Sequence, residues 1–179
     1  LTDTFDTETQ QEIKQLIVKN PETKKQISEI SQQQLWMNEA PVFLVVCSET
    51  EKLERFYGKR GKIFFSVQNV AASIQNMLLT IHALGLASCW VGAFDEKVLK
   101  RVLNLPDDIR PQAILPIGFA DEIVPAPTHY TMENVCYFEQ YGNRVSNIKR
   151  VLQNPLIFDK VGGLISGIVD AAKDVINKK

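Results

Sequence analysis

Few side chains in this 179-residue sequence have the types and spacing that chemistry needs. The two histidines, His82 and His129, stand far apart. A metal centre needs three or four imidazole, thiolate or carboxylate ligands together, and none cluster around either. Each is therefore read as a satisfied or exposed imidazole. Cys47, Cys89 and Cys136 are widely spaced and odd in number, which suggests neither a paired metal motif nor a disulfide framework. Cys47 and Cys89 fall in apolar segments of strand character, where a thiol is expected to be buried, raised in pKa and inert. Glu49, Glu51 and Glu54 interleave with Lys52 and Arg55. That pattern reads as a solvated helix face and not as an acid/base pair. No phosphate-cradling glycine loop and no nucleophile elbow occurs. By their side chains alone, these residues describe a globular domain without a catalytic constellation or a metal site.

The length suits one domain with its own core. Hydrophobic residues make up 45%, charged residues 23%, and the net charge is −1. That balance argues against nucleic acid as a partner. No apolar run reaches the ~20 residues that span a bilayer, and no signal-peptide layout opens the chain. The expectation is a soluble, cytoplasmic protein.

The elements follow from hydrophobic periodicity and punctuation. Residues 1–11 are polar. Residues 13–18 read as a strand. Asn20 and Pro21 announce a helix that runs to about Ser31. Residues 42–47 form an unbroken apolar run, as in a strand buried on both faces. Ile63, Val67, Val70, Ile74, Met77, Ile81 and Leu84 recur at steps of three and four, with Phe64, Ala71 and Leu78 beside them. So broad a face belongs in a core or a subunit interface. Gly85 stops that helix. A short extended segment (89–94) leads to Asp95, which caps another helix ending at Leu105-Pro106. Residues 112–118 read as a strand, 121–130 as irregular, and 135–141 as a weaker strand or arm. Residues 157–177 form an amphipathic helix.

Ala83-Leu84-Gly85-Leu86-Ala87-Ser88-Cys89-Trp90-Val91-Gly92-Ala93-Phe94-Asp95 resembles the hallmark segment of the nitroreductase family of FMN enzymes. The apolar helix 68–79 before it, Leu103-Asn104-Leu105-Pro106, Arg110-Pro111 and Leu115-Pro116-Ile117-Gly118-Phe119 after it, and Asn20-Pro21 and Ala40-Pro41 upstream stand at similar spacing. The resemblance covers roughly residues 10–142. It implies an α+β fold with an antiparallel-rich central sheet flanked by helices, assembled as a homodimer. It also implies FMN as the cofactor, NAD(P)H as hydride donor, and ping-pong reduction of nitroaromatic, quinone or similar acceptors. Flavin would supply the redox chemistry, which explains why few protein acids or bases are needed. The resemblance places the backbone of Val91, Gly92 and Ala93 at the flavin edge, with the Gly92 N–H tuning N5. A residue without Cβ lets backbone meet a planar ligand. The other reading of Gly92 is a tight strand-to-helix junction that needs glycine for its own geometry. Gln11 matches the glutamine that closes a cofactor-binding loop. Phe64 and Phe65 resemble aromatic positions on the substrate side, and their period also fits ordinary core.

The family's arginine-rich opening motif, whose side chains hold the FMN phosphate, has no counterpart here. A second basic position reads Pro127-Thr128-His129-Tyr130. The resemblance therefore implies an N-terminally truncated or divergent member. The alternative is a degenerate, flavin-free relative with a binding or structural dimer role. Residues 1–142 form the nitroreductase-like domain in this reading. Residues 143–179 form a helical extension that packs on the domain or on the partner subunit, and a membrane-surface helix is disfavoured because acids line its polar face.

Overall fold

The computed structural model describes residues 12–122, 125, 127–137 and 140–144. Gln11 and the 157–177 helix lie outside these residues. The chain divides into two compact units, Leu1–Ile123 and Val124–Lys179.

In the first unit, β1 (Ile13–Val18), β2 (Val42–Glu49), β3 (Ala87–Ser88) and β4 (Ile109–Gly118) form one antiparallel sheet in the order β1-β2-β4-β3. The helices are α1 (Pro21–Ile30), α2 (Thr50–Arg60), α3 (Ser66–Ala83) and α4 (Glu96–Val102). This is the expected α+β architecture. Alternate residues of a strand face opposite sides of its sheet. Phe43, Val45, Cys47 and Ile114 accordingly pack with Ile27 of α1 and Leu99 of α4 on one side. Val46, Ala113 and Leu115 pack with Val70 and Ile74 of α3 on the other. Each such aliphatic burial contributes about 1.5–3 kcal/mol, so the central strands lock both helical layers to the sheet. The continuous apolar run 42–47 is thus buried on both faces, as its sequence implies.

Local chemistry sets the helix ends. Asn20 Oδ1 accepts from the Thr23 N–H at 3.0 Å, with Pro21 at the first helical position. Asp95 Oδ1 accepts from the Val98 N–H at 3.0 Å and caps α4. Gly85, at φ +74°, ends α3 in the left-handed conformation that costs glycine least. Buried Lys24 donates from Nζ to the carbonyls of Ala40 (2.7 Å) and Asn38 (3.3 Å), which pins α1 to the loop before β2.

Two expectations change. The long helix is not one uniform stripe from 63 to 84. Gly58, at φ +60° and ψ −156°, breaks the path of α2, and a π-helical turn (Gly61–Phe65) precedes α3. The helix buries Val70, Ile74 and Ile81 but leaves Ile63 66% and Leu84 70% exposed, because no other element of the described chain covers that side. The extended segment 89–94 is also interrupted. β3 holds only Ala87 and Ser88, and the pairing with β4 resumes in unbroken register at Val91–Ile114. In that register Cys89 stands opposite Pro116, which has no N–H to donate to the ladder.

In the second unit, α5 (Met132–Val135) is a single helical turn. Tyr137 bridges Arg144, and its ring lies 4.5 Å from that of Tyr141. The helical turn ends at Val135, where the arm expected over 135–141 begins, and Tyr137 of that arm is bridged. No helix among the described residues is long and apolar enough to cross a membrane.

Candidate functional site

The segment from Val91 to Asp95 is anchored at both ends and bare in between. Val91 exchanges two backbone hydrogen bonds with Ile114 (3.0 and 2.9 Å), and its side chain, 3% exposed, belongs to the core with Phe43, Leu99 and Ile114. Asp95 donates its N–H to the Ile30 carbonyl at 3.0 Å while its carboxylate caps α4. Gly92 and Ala93 are exposed between these anchors. Neither donates its N–H to any group among the described residues. Two successive donors on backbone fixed from both sides suit an acceptor on a ligand.

Gly92 has no internal reason to be glycine. Its φ lies outside the left-handed region. A Cβ built on it would meet only the Trp90 ring, at 3.7 Å, which is ordinary contact. The junction therefore does not need glycine for its own geometry. The bare surface that a Cβ would fill fits a planar group laid against the backbone, such as the isoalloxazine edge of FMN.

Phe64 and Phe65 sit on the π-helical turn. Phe64 is 46% exposed and Phe65 half-buried, so Phe64 is not the core residue that its period also allowed. The rings lie 6.0 Å apart, and Tyr57 meets Phe65 edge-on at 5.4 Å. The Arg60 guanidinium lies over both, 4.9 Å from Phe64 and 5.5 Å from Phe65. Among the described residues, no hydrogen bond, ion pair or ring contact joins this cluster to Val91, Gly92 or Ala93.

Gln11 itself is outside the described residues, but its neighbour Glu12 is 1% exposed. Glu12 Oε1 accepts from Asn69 Nδ2 at 2.7 Å, which ties the entrance of β1 to the first turn of α3. Its Oε2 is buried without a hydrogen bond. Burial pushes this carboxyl above its usual range. The Asn69 hydrogen bond and the Lys52 charge oppose the shift, and the Glu49 charge adds to it.

The cysteines divide. Cys47 is buried, and loss of solvation pushes its thiol up to about 12, so it is inert as expected. Cys89 is exposed, which corrects the expectation that it is buried. It lies where the β3 ladder lapses opposite Pro116. His82 and His129 are both exposed. His82 edges an open cleft of ≈470 Å³ between α3 and β3, also lined by Leu78, Ile81 and Ser88.

Sequence reasoning missed Arg60, Gly61 and Glu12. The signal for the first two was present in Tyr57-Gly58-Lys59-Arg60-Gly61, where two glycines three residues apart interrupt a helical pattern. Nothing marked Glu12, which ends a polar run.

Comparison with known proteins agrees with this fold. The family model described as the nitroreductase family matches residues 5–119, more than half of the chain. A Methanothermobacter thermautotrophicus protein, named provisionally as an NADH dehydrogenase/NAD(P)H nitroreductase, is 30% identical over 111 residues, 60% of this chain and 54% of that relative. The chain thus spans about half the length of the curated relatives it matches. Among solved structures, B. megaterium NfrA2 superposes with a TM-score of 0.67 at 20% identity, over 80% of this chain and 62% of that one. The NADPH:FMN oxidoreductase of Vibrio harveyi, solved with NAD+, gives 0.66 at 16% identity, over 87% and 74%. These likenesses carry the fold, and the family match carries the assignment: this chain belongs to the nitroreductase family.

Proposed function

We propose that this chain serves an FMN-dependent NAD(P)H oxidoreductase that reduces nitroaromatic, quinone or similar acceptors by ping-pong hydride transfer. The observation that carries the reading is Gly92, a glycine that the fold does not require, on an anchored segment where its N–H and that of Ala93 have no acceptor among the described residues. FMN, when bound, supplies the hydride-accepting ring system. The N–H groups of Gly92 and Ala93 would hold the ring edge, Val91 would keep that backbone in place, and Gln11 would add a side-chain contact. Phe64 and Phe65 would face the acceptor. The exposed stripe of α3 and its approaches, Ile63, Val67 and Leu84, supports a homodimer, since apolar side chains of that size on one helix gain by being covered. Free cysteines support a reducing, cytoplasmic setting.

One observation favours the flavin-free alternative. The stretch Pro127-Thr128-His129-Tyr130 offers an exposed imidazole and no Lys or Arg to a phosphate. Titration of the purified protein with FMN, followed by flavin fluorescence and absorbance, separates the two readings. Saturable binding that bleaches on anaerobic addition of NADH or NADPH supports the oxidoreductase. Protein that stays colourless in excess FMN overturns it and leaves the flavin-free dimer.

A further inference from the structure

The turn between α2 and α3 gathers more aromatic and cationic surface than its packing uses. Residues 50–65 contain five cations (Lys52, Arg55, Lys59, Arg60 and Lys62) against two carboxylates (Glu51 and Glu54), in a chain whose net charge is −1. Lys62 is engaged by Glu54 at 2.6 Å, and that hydrogen bond holds its ammonium above the usual lysine range. Arg60 is different. Its contacts among the described residues are the faces of Phe64 and Phe65, and no carboxylate pairs with it. A guanidinium stacked on rings keeps its in-plane N–H donors free. Around it, Phe56, Tyr57 and Phe64 are exposed. The backbone that presents them is irregular: Gly58 holds φ +60° and ψ −156°, a combination open to glycine, and the π turn departs from α-helical hydrogen bonding. Irregular turns of this kind concentrate at functional sites.

We propose that Arg60, Phe64 and the neighbouring rings form a platform for a planar aromatic anion, so that the acceptors of this oxidoreductase are aromatic carboxylates or sulfonates. The ring of such a ligand stacks on the exposed aromatic surface, and its anionic group takes the free edge of the Arg60 guanidinium. A neutral aromatic gains the first interaction without the second. The surplus of positive charge around the turn favours the anion at longer range as well. This assignment rests on the reading that Phe64 and Phe65 face the acceptor, but it is tested without turnover.

The probe is 2-naphthoate, compared with neutral 2-naphthamide, in calorimetric titration of the protein without added flavin. The carboxylate is expected to bind roughly tenfold more tightly than the amide, and only its binding should weaken with salt. Arg60→Gln should erase that preference, Arg60→Lys should restore part of it, and Phe64→Leu should weaken both probes. These side chains are exposed, so unchanged melting temperatures are expected and serve as the folding control. Equal affinity for the two probes, or a preference that survives Arg60→Gln, overturns the proposal. Naphthoate binding in a protein that never takes up FMN would sink the oxidoreductase and spare the platform. FMN uptake without naphthoate preference would do the reverse.

Discussion

Gly61 and Gly92 lie on either side of α3 and are glycines for opposite reasons. A Cβ on Gly61 would be driven into the Leu53 carbonyl oxygen and would stand 2.8 Å from Tyr57 Cβ, because the Gly58 kink folds the chain back on itself there. The fold demands that glycine. A Cβ on Gly92 would meet one ring at ordinary distance. The fold tolerates a larger residue there, and the proposed cofactor contact is what would demand glycine. A glycine in the sequence is thus two different statements, and the space around it separates them.

The sharpest way to break this contrast is to exchange both glycines for alanine. Gly61→Ala should destabilise the first unit by about 2–3 kcal/mol, since backbone and not a flexible side-chain end must yield. For a chain of this size that lowers the melting temperature by about 5–10 °C, readable by circular dichroism. Gly92→Ala should leave stability within about 0.5 kcal/mol and weaken FMN binding tenfold or more, measured by fluorescence titration. A Gly92 variant that melts as early as the Gly61 variant would show that the junction needs glycine after all.

What could be read from residues alone divides along the same line. The Asn20 and Asp95 caps, the stop at Gly85 and the doubly buried run 42–47 were legible because each is decided within a few residues. The stripe on α3 was legible as a stripe, but periodicity does not say what covers Ile63 or Leu84. The exposure of Cys89 was hidden for a different reason. It depends on what packs beside the edge strand β3 once it pairs with β4, which no local pattern contains. Resemblance singles out Gly92, but whether turn geometry demands the glycine depends on the space around its missing Cβ, which sequence does not contain.

Thiol reactivity sharpens the comparison without any cofactor. Cys89 lies in the exposed approach to Gly92, whereas Cys47 is packed in the sheet core with its pKa pushed up to about 12. A thiolate-specific reagent at pH 8 should label Cys89 within minutes. Cys47 should react only on unfolding, because its thiolate is scarce and its sulfur shielded. Peptide mapping after brief labelling checks this. Modification of Cys47 in the native protein would mean that the core opens where the structure closes it.

The smallest expected effect concerns Glu12, which fastens β1 to the first turn of α3 beside the Gly61 turn. Its carboxyl is raised above its usual 4.5, chiefly by burial. The native state therefore holds this proton more tightly than the unfolded chain does. The group's contribution to stability is complete below about pH 4.5 and is lost as pH rises through the raised native value. Glu12→Gln keeps an oxygen to accept from Asn69 and removes the titration. The stability difference, variant minus wild type, should grow more positive as pH climbs from about 4.5 and then level off. Urea midpoints across a pH series measure it. A difference that shrinks with rising pH would mean that the carboxylate is stabilised in place. The contact with Asn69 and the Lys52 charge would then outweigh the loss of water, and the turn beside Gly61 would be held by an ion instead of a neutral acid.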